Sequence, residues 1–278
     1  MSRKALMKPL PLFPLELDPE FDLAKLRAVR SNGSPWFNTP DNPATVPMPV
    51  PVILADVIGD YTERDRKLFR FLVHAAFKTL EEGKNIHSIP LREVAQVFRD
   101  AGSDHNSDWI MSSARRLSRV EVEYKITCGD PRFEVAPEES GEGFTRFLAG
   151  AKKTDSGNLV YEIPNQLVEI ILKPYRFARL RTHFVIGLSG KYAVTLYEIL
   201  ESFANKDDPQ FTVNLTEFRQ WLKVKPDQYP EWKDLKKRII QPALDQINQD
   251  PESAGFSVEM TPLKITREVA GLHFSLVK

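Results

Sequence analysis

The sequence predicts an α+β fold: two tandem winged-helix domains joined by a connecting helix, with a proline-rich arm at the N-terminus. Three observations predict it. Between residues 61 and 164 a helical pattern is followed by a short extended stretch, two further helices and alternating strands, and the same order returns between 189 and 277. Helix, short strand, two helices and antiparallel strands is the order of elements in a winged helix. Ten of the 21 prolines fall within the first 51 residues, ahead of any periodic pattern.

Residues 1–52 are read as the arm. Proline lacks an amide donor, so the run PATVPMPVP is expected to form neither helix nor sheet ladder and to stay extended or disordered. Prolines 9, 11, 14 and 19 also interrupt the leucine-rich start, which is therefore read as an uncleaved segment of a cytoplasmic protein.

The N-terminal winged helix is assigned to residues 53–164. TERDRKLFRFLVHAAFKTLEEG supplies a threonine cap, early acid and an apolar stripe of Leu68, Phe69, Leu72, Ala76 and Leu80, and Gly83 ends it. IHSIP is the short strand and LREVAQVFRDAG the second helix. SDWIMSSARRLSRV is the third, with Trp109, Ile110, Ala114 and Leu117 inward and Arg115, Arg116 and Arg119 mostly outward. EVEYKI, FTRFLAGAKK and NLVYEIP alternate as strands.

Residues 165–175, NQLVEIILKPY, form the connecting helix, and 176–278 the C-terminal winged helix. Its first helix, 189–204, carries Ala193, Leu196, Tyr197, Leu200 and Phe203 on one stripe. Phe211–Val213 is the short strand, and Asn214 with Glu217 makes a capping box for the helix bearing Phe218, Trp221 and Leu222. The third helix is YPEWKDLKKRIIQPALDQIN, in which Pro242 removes a donor and should kink the axis. FSVEMTPLKI and AGLHFSLV close a wing around TREV.

Composition excludes several function classes. The chain has 278 residues, 42% hydrophobic and 27% charged, without the run of about 18 apolar residues that a membrane span needs. One cysteine, Cys128, excludes an intramolecular disulfide framework and a cysteine-based zinc site. The net charge is zero, which argues against indiscriminate polyanion binding, but the charge is unevenly placed. Lys173 to Lys191 holds five Lys or Arg and no acid; Asp130 to Glu142 holds five acids against one arginine. No Gly-x-x-x-x-Gly-Lys loop occurs. The histidines at 74, 87, 105, 183 and 273 are dispersed, with no metal-ligand spacing. Tyr192 and Tyr197 on one helix are packing residues rather than nicking nucleophiles, and no catalytic residue, metal or cofactor is assigned.

The candidate chemistry is DNA binding. Projected at 100° per residue, the third helix of the C-terminal unit puts Trp232, Leu235, Ile239, Ala243 and Ile247 on one face, with Lys237, Gln241, Asp234 and Arg238 opposite. Lysines there can neutralise phosphates, while Arg238 and Gln241 have the fork and amide geometry that reads base edges. Lys233 flanks this face; Lys236 falls nearer the apolar side and snorkels. Taken alone the helix reads as an ordinary solvated surface; its place as the third helix of a helix-turn-helix with a following hairpin favours DNA. Arg179, Arg181, Lys191 and Tyr192, near the start of the first helix, suit phosphates. Lys264 and Arg267 at the wing turn, and Arg115, Arg116 and Arg119 in the first unit, read either as DNA contacts or as scattered surface charge.

Over residues 189–277 the chain resembles the initiator Rep proteins of iteron-containing bacterial plasmids. The motifs that carry the likeness are SGKYAVTLYEILESF, LTEFRQWLKV with YPEWKDLKKRIIQPALDQIN, and FSVEMTPLKITREVAGLHFSLV. TERDRKLFRFLVHAAF and IPLREVAQVF extend it more loosely over 61–164. The resemblance implies that two winged helices bind opposite ends of a repeated duplex origin sequence, with the main base contacts on Lys233 to Gln241. It also implies replication initiation by bound monomers, recruitment of the host replicative helicase and host initiator, and dimers formed through the N-terminal winged helix that repress the protein's own promoter. Thr195 departs from the family pattern, which has a basic residue there. In the arm, Leu10, Leu12 and Phe13 resemble the short peptide that docks on the bacterial sliding clamp, without its leading glutamine; a chance apolar cluster is the competing reading. The rival function is a dimeric transcriptional repressor built on the same folds.

Overall fold

The structure is a computed structural model that describes residues 45–102, 107–126, 141–172, 177–204 and 206–278. Leu10, Leu12, Phe13, His105, Cys128, Lys173 and Arg176 lie outside the described residues.

The chain enters through β1 (Thr45–Pro49) and α1 (Val50–Leu54), followed by β2 (Asp56–Ile58). This corrects the expected arm, whose last eight residues belong to the fold. β1 pairs antiparallel with β8 (Phe177–Arg181), from Thr45↔Arg181 to Pro49↔Phe177, and Val46 and Met48 are fully buried. Prolines were expected to forbid a ladder. At alternate positions, however, Pro47 and Pro49 put both missing donors on one side, leaving Val46 and Met48 to bond with β8.

The first winged helix comprises α2 (Glu63–Glu81), β3 (Ile86–Pro90), α3 (Leu91–Asp100), α4 (Asp108–Leu117), β6 (Gly150–Lys153) and β7 (Asn158–Glu162). Its sheet has the order β3-β7-β6, so β6 and β7 form the wing. The cap of α2 is a full capping box: Thr62 Oγ1 accepts from the Asp65 amide, and Asp65 accepts from the Thr62 amide at 2.9 Å. The expected stripe from Leu68 to Leu80 is buried. Phe69, Phe147 and Tyr61 stack above it, with ring centroids 4.5 and 5.2 Å apart.

The stretch FTRFLAGAKK, expected as one strand, is two. β4 (Glu121–Ile126) and β5 (Gly141–Thr145) belong to a separate sheet, β2-β4-β5, and the buried Phe147 and Leu148 plug the core before β6 begins in the wing. Burial of two consecutive apolar side chains breaks the strict alternation of a strand.

α5 (Asn165–Leu172) is the connecting helix, within the expected span, and α6 (Thr182–Gly187) follows β8. The second winged helix comprises α7 (Lys191–Ala204), β9 (Gln210–Asn214), α8 (Leu215–Trp221), α9 (residues 232–249), β10 (Ser257–Ile265) and β11 (Glu268–Val277), with α10 (Pro251–Ala254) before the wing. Its sheet order, β9-β11-β10, repeats that of the first unit. The stripe of α7 is buried, and Phe203, Phe211 and Phe274 stack at 3.9 and 5.0 Å beneath α8. Asn214 caps α8 by accepting from the Glu217 amide at 2.7 Å; the return bond runs from the Asn214 side-chain amide to Glu217 at 3.2 Å, not from its backbone.

β9 supports only the base of the wing, pairing with Gly271–Ser275, so the hairpin beyond Gly271 projects as two strands. A side chain at Gly271 would meet the Val213 carbonyl at 2.9 Å, which is why glycine stands where the strands cross so closely. A bulge at Leu263/Lys264 twists the projecting part, and Thr266, with φ 60°, turns the tip.

Candidate nucleic-acid interface

α9 follows a loop organised by one arginine. Arg219 donates to the carbonyls of Tyr229 at 2.9 Å, Lys225 at 3.2 Å and Gln228 at 2.5 Å, fixing a connection in which Lys223 and Tyr229 hold positive φ. No local pattern in the sequence marks Arg219 for this role, because its acceptors are backbone carbonyls of the loop it organises.

The C-terminal half of α9 is anchored twice. Gln246 accepts from the Ser189 amide at 2.7 Å and donates to its carbonyl at 2.9 Å; Asn248 makes the same two-way pairing with Val258, both at 2.8 Å. The first clamps α9 to the start of α7 and the second to the base of the wing.

Between anchor and free end lies a π-helical turn, Lys236–Ile240, closed by the Gln241 amide on the Lys236 carbonyl. Proline at 242 explains it: the ring cannot donate to residue 238 and crowds its carbonyl, so the turn before it opens. The expected kink is thus realised as a widened turn, and this changes which residues line up. In a regular α-helix, residues four apart drift by about 40° around the axis. The wide turn takes that drift back, so Lys233, Lys237 and Gln241 lie in a single row, all exposed, ending on Asp245, to which Gln241 donates at 2.8 Å. Arg238 lies in the next row, its Nε 3.6 Å from Asp234. The same widening buries Ile240 and Leu244, which the 100° projection missed, along with Leu235, Ile239, Ala243 and Ile247. Lys236 is half-buried, as its snorkelling position predicts.

The other candidate residues divide. Lys191 is exposed, its ammonium 4.8 Å from the ring of half-buried Tyr192. Arg181 is half-buried; it donates to the Glu252 carbonyl at 3.2 Å and lies so close to Gly255, in the left-handed region at φ +91°, that a side chain there would meet the guanidinium at 2.6 Å. Arg179 is 8% exposed within the β1–β8 ribbon, and this removes it from the phosphate-contacting set. Thr195, the departure from the family pattern, is buried and donates to the Lys191 carbonyl at 2.8 Å, so its side chain faces the core. Tyr197 is fully buried, its hydroxyl donating to the Ala254 carbonyl at 3.1 Å, and burial pushes the phenol well above its ordinary pKa. Lys264 and Arg267 are exposed at the wing tip beside Leu263 and Ile265.

In the first winged helix Arg115 and Arg119 are exposed on and just after α4. Arg116 is not available in the same way. Its fork closes on Asp65 at 2.7 and 2.8 Å and ties α4 to the cap of α2. Burial would raise the Asp65 carboxyl, but hydrogen bonds from Arg116, Ser113 and Thr62 outweigh it and hold the pKa below the ordinary 3.8. The structure adds Lys152 and Lys153, exposed on β6 of the first wing, which is joined to α4 by the Leu148 amide bonding to the Leu117 carbonyl at 3.2 Å. A twofold lysine at a strand end was the only signal for them.

Between the two units runs a seam of buried charge that the periodicity did not reveal. Arg66 and Arg70 on α2 both reach Glu198 on α7. Arg66 Nε donates at 2.9 Å and Arg70 Nε at 2.7 Å, while Arg66 also donates to the Ile53 carbonyl at 3.1 Å. Glu198 is fully buried; burial alone would raise its pKa, but Arg66 and Arg70 hold it below the ordinary value. Lys67 donates to the Leu188 carbonyl and His74 pairs with Thr182 along the same side of α2.

A family model described as the initiator replication protein's first winged helix matches residues 52–201, and one described as the initiator Rep protein's second winged helix matches 214–276. The chain belongs to the initiator Rep protein family. The first match ends at residue 201, inside α7, the helix that the buried seam fastens to α2. Among solved structures the Rep chain is similar in fold to the Pi initiator protein in complex with iteron DNA, at 16% identity and a TM-score of 0.59, covering 84% of this chain and 97% of that one. Domains 2 and 3 of RctB also match, at 14% identity and a TM-score of 0.45, over 77% of this chain and 82% of that one. No curated protein sequence matches. Among the described residues no helix is long and apolar enough to cross a membrane, and no group of three His, Cys, Asp or Glu side chains could hold a metal.

Proposed function

We propose that this Rep chain is a plasmid replication initiator that binds duplex origin repeats in sequence-specific fashion, acting in the cytoplasm without cofactor and without catalysing a reaction. The observation that carries the reading is the exposed row of Lys233, Lys237 and Gln241 with Arg238 beside it, on the third helix of a winged helix whose family is that of replication initiators. Arginine and glutamine offer paired contacts to base edges, and lysines neutralise phosphates on either side. The similarity in fold to an initiator solved on iteron DNA supports the same class of ligand. In this reading Arg115, Arg119, Lys152 and Lys153 hold the backbone at the other end of the repeat, with Lys191, Arg181, Lys264 and Arg267 as further phosphate contacts around α9.

Initiation would follow from several bound copies deforming the origin and recruiting the host helicase and initiator. Pairing through the first winged helix would give a repressing dimer. The arm, through Leu10, Leu12 and Phe13, would be the element to test for sliding-clamp binding.

Nuclease protection on the DNA flanking the gene tests the proposal. Several protected direct repeats spaced by whole helical turns beside an A·T-rich tract are expected; a single protected palindrome would instead establish a dedicated repressor. Incubation with supercoiled origin DNA and magnesium should leave it unnicked, and a nicked product lost in Tyr192→Phe would overturn the non-enzymatic reading.

A further inference from the structure

The seam between α2 and α7 is built unlike the rest of the core. Residues 66, 67, 70 and 74 form one side of α2, the side an isolated winged helix would turn to solvent, and all four are at most 8% exposed. Each is bonded to a group outside its own unit's three-helix core: Glu198, the Leu188 carbonyl, Glu198 again and Thr182. Arg70 additionally places Nη1 3.3 Å from Met48 Sδ in β1. A second strut runs nearby, where Lys223 at the end of α8 donates to the Leu54 carbonyl at 2.8 Å and to Asp56 at 2.6 Å.

Such a seam differs in kind from an apolar one. Hydrophobic surfaces can slide past each other with little loss, because their attraction has no direction. Two guanidinium forks on one carboxylate tolerate no such shift, since a small displacement leaves a buried charge without its partner. Buried ion clusters add little net stability against apolar packing but can select one arrangement among several.

We propose that Glu198, gripped by Arg66 and Arg70, is a positioning residue that fixes the angle between the two winged helices, so that α4 and α9 meet one duplex as a single rigid reader. This rests on the reading above in which both units contact the same repeat. Two linked binding units gain affinity only when their geometry lets both engage at once. A loosened seam leaves each unit's own surface intact and reduces only that joint engagement.

The test uses the full chain and three probes. The first is a duplex of about three helical turns selected from a random pool by the wild-type chain, and the others are its two halves. Glu198→Gln keeps the shape and removes the charge. It should bind each half as the wild type does and the whole duplex about tenfold more weakly. Spin labels at Ser156→Cys and Thr266→Cys, in a Cys128→Ser background, report the distance between wings without DNA; in Glu198→Gln the distribution should widen. Unchanged affinity for the whole duplex, or an equal loss on whole and halves, overturns the proposal. A wild-type chain that binds one half as tightly as the whole overturns the two-unit reading itself, and with it the role given to Glu198. Should Glu198→Gln fail to fold by circular dichroism, Arg66→Lys, which keeps the charge but loses the fork, carries the same measurements.

Discussion

The two winged helices share one topology and use their basic residues differently. In the first, the sheet β3-β7-β6 supports α4, whose central arginine, Arg116, is spent on Asp65 at 2.7 Å, leaving Arg115, Arg119 and the wing lysines as separate exposed charges. In the second, β9-β11-β10 supports α9, where a widened turn lines up two lysines and a glutamine with an arginine alongside. In the proposed function the first surface holds a backbone and the second discriminates bases. Basic residues on equivalent helices therefore do not imply equal roles, because what a side chain is already bonded to decides what it can offer.

The comparison breaks most decisively at Arg238. Arg238→Ala should cost about 1–3 kcal/mol on the selected site and less on random DNA, read by fluorescence anisotropy. Equal losses on both would reduce Arg238 to a phosphate contact and erase the contrast between the units. Next in size is Arg116→Ala, which should lower stability by about 1–2 kcal/mol in urea titration while leaving DNA affinity nearly intact. A larger effect on binding than on folding would return Arg116 to the interface. Lys153→Ala and Lys152→Ala should each weaken specific and random DNA alike and reduce the slope of log K against log salt by about one. A specificity change there would mean that the first unit reads bases as well.

The smallest effect is on acid stability. His87 is buried against Tyr161, and burial lowers its pKa from 6.5 to about 4. Thr79 donates its hydroxyl to the Ala76 carbonyl at 2.8 Å and so accepts from His87 Nδ1 at 2.7 Å, while Nε2 has no hydrogen-bond partner among the described residues. Above pH 6.5 both folded and unfolded chains carry a neutral ring. Between 6.5 and about 4 only the unfolded chain takes up the proton, so stability falls as pH falls through that window. His87→Gln should flatten the decline in melting temperature across it, and an unchanged decline would assign the acid sensitivity elsewhere.

Much of the fold was legible because it rests on local pattern. The stripes of α2 and α7, the caps at Thr62 and Asn214, and the repeated order of elements all follow from residues within a few turns of each other. What escaped depends on distant partners. Nothing near Arg66 and Arg70 in the chain marks them as buried, because their partner Glu198 lies 132 and 128 positions away. The only local hint was an acid set among apolar residues in TLYEIL. β1 was hidden for the same reason, its partner strand lying at Phe177–Arg181. On α9 the outward residues were legible, but their alignment was not, because a projection at constant pitch cannot register a turn that opens before a proline.

The prolines of β1 have a consequence for how the chain behaves among its own copies. A ribbon of two strands presents two outer edges, and each is a template on which another chain's strand can zip. On the β1 side, Pro47 and Pro49 supply no amide donor and are themselves buried, so that edge offers an incoming strand neither those bonds nor an open face. One route from separate copies to runaway polymer is thereby closed.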